Sequence, residues 1–311
     1  MDKIILNSSI DNLELVTYDF APEITKPALI VQIIHGMAEH AQRYSEFARF
    51  LSQNGIKVVS MDNRGHGETG TRQGQLGHLD NSDATSKLIN DVEDLRKYWK
   101  NQYPNAKYVI FGHSMGSIIL RNYLHSYSQL LDAAIICGTA SFANLQLKIG
   151  KFIAQRFVKK EGARTVNPLV NSLAFKDANK KIKQNKSMYS WLSTDPKEIT
   201  KYMGDKWCGF GCSNQFFVDL SQLVIDMNNK KIIDNFNKQL PILLIAGSMD
   251  PIGNYGKANK QALKFYNKLG NKKVSSILYK GYRHEILNDF CRQKVHNDVY
   301  NFIKKHLIDK H

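Results

Sequence analysis

The sequence predicts an α/β domain: a mostly parallel, eight-stranded sheet flanked by helices, interrupted late in the chain by a helical insertion. Three observations carry this reading. Apolar runs of strand length alternate with amphipathic helical periods, the pattern of βαβ units. One run, Tyr108–Phe111, ends in Gly112-His113-Ser114-Met115-Gly116, and an apolar helical stretch leaves from that turn. From Gly138 to Asn237 the strand signal stops, and it returns after Pro241.

In chain order, Lys3–Ser8 and Leu13–Asp19 read as an opening hairpin. Pro22 and Pro27 mark a loop. Ala28–Ile34 is a continuous apolar run that fits a buried strand. The helix after it carries Tyr44, Phe47, Ala48 and Leu51 on one face and stops at Asn54-Gly55. Ile56–Met61 is the next strand, and the Gly-rich stretch Asp62–Leu79 reads as a long loop. Leu88, Val92, Leu95 and Trp99 form one stripe of a helix from Asp83 to Tyr103. The strand at 107–111, a helix to Tyr127 and a strand at Ala133–Cys137 follow. Beyond the insertion come a strand at Ile242–Ala246, a helix at Tyr255–Leu269, a strand at Val274–Tyr279 and a last helix to Leu307. The expected organisation is a core of residues 1–138 and 238–311 with a helical cap at 139–237. Within the cap, Lys148–Lys160 mixes Ile149, Phe152, Ile153 and Phe157 with five basic residues. A helix of that composition either packs on the body with a solvated basic side or lies on a lipid face.

Composition bounds the function. With 311 residues, 42% of them hydrophobic, the chain can bury a large core. No apolar run is long enough to span a bilayer, and the first twenty residues do not read as a signal peptide. The four cysteines are scattered and complete no zinc set, which fits a reducing cytoplasm and argues against a metal site. The net charge of +15 is compatible with anionic surfaces or substrates, but the lysines spread over the whole chain and no nucleic-acid motif accompanies them.

In an open α/β sheet, sites form beyond the carboxyl ends of the strands. There the sequence places His35-Gly36-Met37, Ser114, Asp250 and His284. Gly112–Gly116 fits G-x-S-x-G, in which a strained strand-to-helix turn exposes a serine hydroxyl. The order Ser…Asp…His is that of a nucleophile, an orienting acid and a base. Serine needs a base to take its proton, His284. The imidazole needs one tautomer and a counter-charge, Asp250. A tetrahedral oxyanion needs two N–H donors: Met115, which follows the nucleophile, and Met37, beyond the close-approach Gly36. His35, His40 and His113 read as residues that order or shape the loops, and His66 as a structural one. Gly65-His66-Gly67-Glu68-Thr69-Gly70 matches a dinucleotide pattern, but that site requires a helix to open there, and the sequence reads as loop. No P-loop is present. These readings require no cofactor and no metal.

These motifs together resemble those of the monoacylglycerol lipase and lysophospholipase group of α/β-hydrolases, also labelled serine aminopeptidase S33-like. His35–Tyr44 looks like its HGxxEHxxRY loop, Asp62–Gly67 like DxRGHG and Gly112–Gly116 like GHSMG. Gly247–Gly253 is similar to the acid loop of bacterial members, and Arg283–Asn288 to their RHExxN loop. The resemblance implies Ser114, Asp250 and His284 as triad, Met37 and Met115 as oxyanion donors, and a cap bounding an acyl-chain pocket. Ser117 departs from the glycine of many members, and the cap carries no motif of the group. The expected activity is hydrolysis of a single-acyl-chain lipid ester, a monoacylglycerol or lysophospholipid. The near alternative is a small-ester carboxylesterase, and a remote one is a non-catalytic binding protein on the same fold. The expected partners are a lipid or small-molecule ester and, through the basic cap, a membrane surface. The expected location is cytoplasmic.

Overall fold

A computed structural model describes residues 1–141, 144–182 and 187–309, with the side chains of residues 144–146 left aside. Residues 142–143 and 183–186 of the predicted cap lie outside the described residues. The strands are β1 (Asp2–Asn7), β2 (Glu14–Asp19), β3 (Leu29–Ile34), β4 (Lys57–Met61), β5 (Lys107–His113), β6 (Ala133–Cys137), β7 (Ile242–Gly247) and β8 (Val274–Tyr279). They form one sheet in the order β1-β2-β4-β3-β5-β6-β7-β8. The β1–β2 and β2–β4 pairings are antiparallel and all the others parallel.

The helices are α1 (Ser45–Gln53), α2 (Gly67–Arg72), α3 (Ala84–Gln102), α4 (Met115–Tyr127), α5 (Asn144–Glu161), α6 (Pro168–Phe175), α7 (Pro196–Gly204), α8 (Asn214–Asp226), α9 (Lys257–Lys268) and α10 (Arg292–Ile303). Strand alternation builds the layers. Ile30, Ile34 and Ile110 face a core shared with α3, α4, α8 and α9. Val31, Ile33, Val109 and Phe111 face the opposite core with α1 and α10. The central strands are therefore apolar on both faces, as a parallel sheet covered on both sides requires. Leu88, Val92, Leu95 and Trp99 of α3 are all buried, each side chain contributing roughly 1.5–3 kcal/mol relative to exposure.

The structure corrects one sequence expectation and bears on one reading left open. The stretch 62–79 is not all loop, because α2 opens at Gly67. The Asp62 carboxylate occupies its first turn, accepting from the Glu68 N–H at 2.8 Å and from the Ala41 N–H at 2.9 Å. A helix N-terminus already neutralised by a buried carboxylate does not take a pyrophosphate. The dinucleotide reading fails for that reason and not for want of a helix. In α5, whose apolar side the sequence left either packed or lipid-facing, only part of that side is packed. Ala154 is buried and Phe157 and Val158 are half-buried, while Ile149, Phe152 and Ile153 are 51%, 60% and 37% exposed. Lys151, expected on the solvated side, bonds Gln222 of α8.

Between β6 and β7 the described residues contain helices and turns but no strand. Asn167-Pro168 and Asp195-Pro196 start α6 and α7, with each polar side chain accepting from the first turn. Among the described residues no helix is long and apolar enough to cross a membrane. All four cysteines are free.

Candidate active site

The candidate nucleophile sits where β5 turns into α4. Ser114 has φ 52° and ψ −119°, a strained conformation for a residue with a side chain. The turn is tight enough that a Cβ on Gly116 would lie 2.0 Å from the Ile34 carbonyl oxygen, and one on Gly112 would lie 2.4 Å from the Gly116 carbonyl oxygen. The Ser114 N–H bonds the Cys137 carbonyl at 3.0 Å, anchoring the turn to β6. Ser117, the departure noted in the sequence, donates its hydroxyl to the Ser114 carbonyl at 2.6 Å.

His284 comes from the loop after β8 and Asp250 from the loop after β7. His284 Nδ1 lies 2.9 Å from Asp250 Oδ2, and both side chains are buried. Asp250 Oδ1 accepts the Ile252 N–H at 2.9 Å, which fixes the carboxylate. His284 Nε2 is buried and makes no hydrogen bond, and the Nδ1–Asp250 approach is close but not aligned as one. Bonds of this kind often tighten only with substrate bound. Met37, Met115, Ser114 and His284 line one cavity of about 1070 Å³. Met115 is the first residue of α4, so its N–H has no acceptor within the helix. The loop carrying Met37 lies against the serine: a Cβ on Gly36 would meet Ser114 Cβ at 3.0 Å. The remaining wall is mainly apolar, with Ile118, Leu147, Phe217, Leu220, Val224 and Ile252.

The expected shaping histidines do different work. Burial holds His35 neutral, with its pKa pushed down to about 3. Its Nδ1 faces the Gly36 carbonyl at 2.8 Å, and its Nε2 accepts the Asn63 N–H at 2.9 Å. His66 is likewise neutral by burial, with its pKa at about 4. His113 belongs to a buried charged cluster that sequence reasoning left out. Arg43 donates two bonds of 2.7 Å to Glu285 and one of 2.6 Å to Glu39. Glu39 also accepts the Gly36 N–H at 2.6 Å, so the cluster reaches the candidate oxyanion loop. All three charged residues were visible in the quoted motifs, but spacing alone assigned them no partner.

The insertion also reaches the site, as the resemblance implies, through residues that no motif singled out. The Trp191 ring lies 5.1 Å from that of His284. The carbonyl oxygens of Ser190 and Ser193 accept from Arg283 at 2.6 and 2.7 Å, and that of Leu192 accepts the Glu285 N–H at 2.7 Å. The Ala38 carbonyl accepts from Gly209 N–H at 3.0 Å and from the Tyr202 hydroxyl at 2.8 Å. Among the described residues one group could hold a metal ion, His40, Asp205 and Cys208, with donor atoms within 4.8 Å of one another. There His40 Nε2 and Asp205 Oδ2 already bond at 2.8 Å, and the pair clamps the insertion to the loop after β3.

Residues 25–290 match the family model described as serine aminopeptidase, S33. The chain is 25% identical to a monoacylglycerol lipase of Mycolicibacterium smegmatis over 292 residues, 94% of each chain. It is 29% identical over 134 residues to lysophospholipase L2 of Escherichia coli, 42% of this chain and 37% of that one. Its fold matches that of a thermostable carboxyl esterase from Bacillus coagulans, solved in complex with glycerol. The TM-score is 0.90, at 25% identity and 99% coverage of both chains.

Proposed function

The chain belongs to the serine aminopeptidase S33 family of α/β-hydrolases, and from that premise we propose that it hydrolyses carboxylic esters of single-acyl-chain lipids. The family and the names of its relatives, lipases and esterases, make it an ester-hydrolysing enzyme. The observation that supports the finer reading is that Ser114 and His284 line one large, mainly apolar cavity, with Asp250 2.9 Å behind His284.

In this reading His284 Nε2 takes the Ser114 Oγ proton as the oxygen attacks the acyl carbonyl, while Asp250 stabilises the imidazolium. The N–H groups of Met37 and Met115 receive the oxyanion. His284 then gives its proton to the departing alcohol, leaving an acyl-enzyme. Water, deprotonated by the same imidazole, attacks the acyl-enzyme and releases the fatty acid. Residues 139–237 act as the cap whose apolar side chains hold the acyl chain. The exposed Ile149, Phe152 and Ile153, with Lys148 and Arg156 on the same helix, support a peripheral contact with a lipid surface. The four free cysteines fit a reducing, cytoplasmic setting.

Hydrolysis of p-nitrophenyl esters from C2 to C16 tests the reading, on the wild type and on Ser114→Ala. A rate maximum at medium or long chains, with an inactive Ser114→Ala, is the expected result. Turnover of short esters alone makes the protein a small-ester carboxylesterase. An undiminished Ser114→Ala overturns the triad. Failure to react with a fluorophosphonate leaves a binding protein on this fold.

A further inference from the structure

We propose that His113, the neighbour of the candidate nucleophile, is a resident imidazolium that sets the pH range in which His284 can act as a base. The inference rests on the triad reading above and adds a second histidine to it.

The argument begins with hydrogen-bond accounting. Each nitrogen of the buried His113 ring faces an acceptor. Nε2 lies 3.3 Å from the His284 carbonyl oxygen, which only accepts. Nδ1 lies 2.9 Å from the Tyr44 hydroxyl oxygen and 3.3 Å from Glu39 Oε1. Tyr44 has one proton, and Glu39 Oε1, 2.8 Å away, is a carboxylate that must receive it. The Tyr44 oxygen is then left to accept from Nδ1. A ring whose two nitrogens both donate carries a positive charge.

Charge balance gives the same answer independently. Glu39 and Glu285 both accept from Arg43. Two carboxylates and one guanidinium leave this buried cluster one negative charge in excess, and a charged His113 cancels it. Burial opposes the charge on His113, but the hydrogen bond and charge of Glu39, with the charge of Glu285, outweigh it and raise its pKa. Burial likewise opposes the Glu39 carboxylate, and His113 and Arg43 overrule it.

The His113 and His284 rings lie 4.9 Å apart. Of the charged groups that face His284, Asp250 favours its protonation and a charged His113 opposes it. The Glu39 and Glu285 charges are spent on Arg43 and His113. The neighbouring Cys137 thiol is kept protonated by burial, and the insertion offers Lys176 at the cavity and the uncharged Trp191. With His113 charged the cluster beside His284 is neutral, whereas a neutral or missing His113 leaves one uncompensated negative charge there. His113 lines the cavity but exchanges no proton with the serine or the leaving group in this scheme. It is a positioning residue acting through His284.

The test reads the ring directly and the reaction separately. Imidazole ¹⁵N resonances of the full-length protein between pH 5 and 9 report the charge on His113 without substrate. The acid limb of kcat/KM for a medium-chain p-nitrophenyl ester reports His284. We expect both His113 nitrogens protonated at pH 7.5, and in His113→Asn an acid limb displaced upward by roughly half to one pH unit. In Glu39→Gln, which serves should His113→Asn fail to fold, the His113 ring loses its proton at lower pH. A neutral His113 ring at pH 7.5 in an active enzyme overturns the proposal and leaves the triad standing. So does an unmoved acid limb in an active His113→Asn, or a His113 titration in Glu39→Gln identical to wild type. A charged ring in a protein that neither hydrolyses esters nor reacts with a fluorophosphonate overturns the triad and, with it, the tuning role.

Discussion

Trp191, from the middle of the helical insertion, lays its ring 5.1 Å from that of His284, on a loop some ninety residues further along the chain. The carbonyls on either side of it are bonded to Arg283 and to the Glu285 N–H. This part of the insertion is a strap on the histidine loop. Trp191→Ala removes the ring and lets the imidazole turn, so kcat for ester hydrolysis should fall about ten-fold with a smaller change in KM. Trp191→Phe should recover most of the loss. Equal kcat in Trp191→Ala and wild type would show that the ring does not hold His284.

Glycine at 116 is required by the close approach of two backbones. A Cβ there would sit 2.0 Å from a main-chain oxygen that has no room to retreat. Gly116→Ala should cost several kcal/mol and abolish hydrolysis. Gly150, in α5, has nothing within 4 Å of an added Cβ, so Gly150→Ala should stabilise by roughly 0.5–1 kcal/mol. Urea unfolding midpoints of the two variants should move in opposite directions.

Stability should fall on mild acidification. His35 and His66 are buried and neutral, with pKa values lowered to about 3 and about 4. The unfolded chain binds protons at these rings near pH 6.5, where the folded chain refuses them. Their contribution is therefore whole above pH 6.5 and lost as pH falls toward the folded values. At pH 5.5 the two rings together should cost about 3 kcal/mol. His113, with a raised pKa, has the opposite sign. Its contribution is complete below pH 6.5 and is lost as pH rises through its folded value, so it opposes part of the loss from the other two rings. Urea titrations at pH 7.5 and pH 5.5 check this, and an unchanged unfolding free energy would count against two neutral histidines.

Ile149, Phe152 and Ile153 stand exposed on a helix that also carries Lys148, Arg156, Lys159 and Lys160. Ile149 and Ile153 also line the cavity, whereas Phe152 does not, so Phe152→Ser should weaken sedimentation with anionic vesicles several-fold and leave hydrolysis of a short soluble ester near wild type. Binding indifferent to both anionic lipid content and salt would remove the surface role.

The eight strands were legible because each carries a short apolar run, and the alternation with helices implied their mainly parallel pairing. The helix at 67–72 was not legible. Gly67 and Gly70 mark it as loop, and only the capping carboxylate of Asp62 and the close packing of Gly70 on Gly65 show why the chain coils there. The surroundings of α5 stayed open because periodicity identifies an apolar face but not whether a partner covers it.

The sequence by itself determined the order of the elements, the glycine-bracketed turn at Ser114 and the appearance of Ser114, Asp250 and His284 at strand ends in that order. These are local properties, written in residue type and spacing. The tertiary structure alone decided that Arg43 bridges Glu39 and Glu285, that Trp191 lies on His284, and that both nitrogens of His113 face acceptors. Those contacts join residues up to 242 positions apart. The charge state of a buried group depends on the partners that folding brings to it, and no spacing along the chain encodes them.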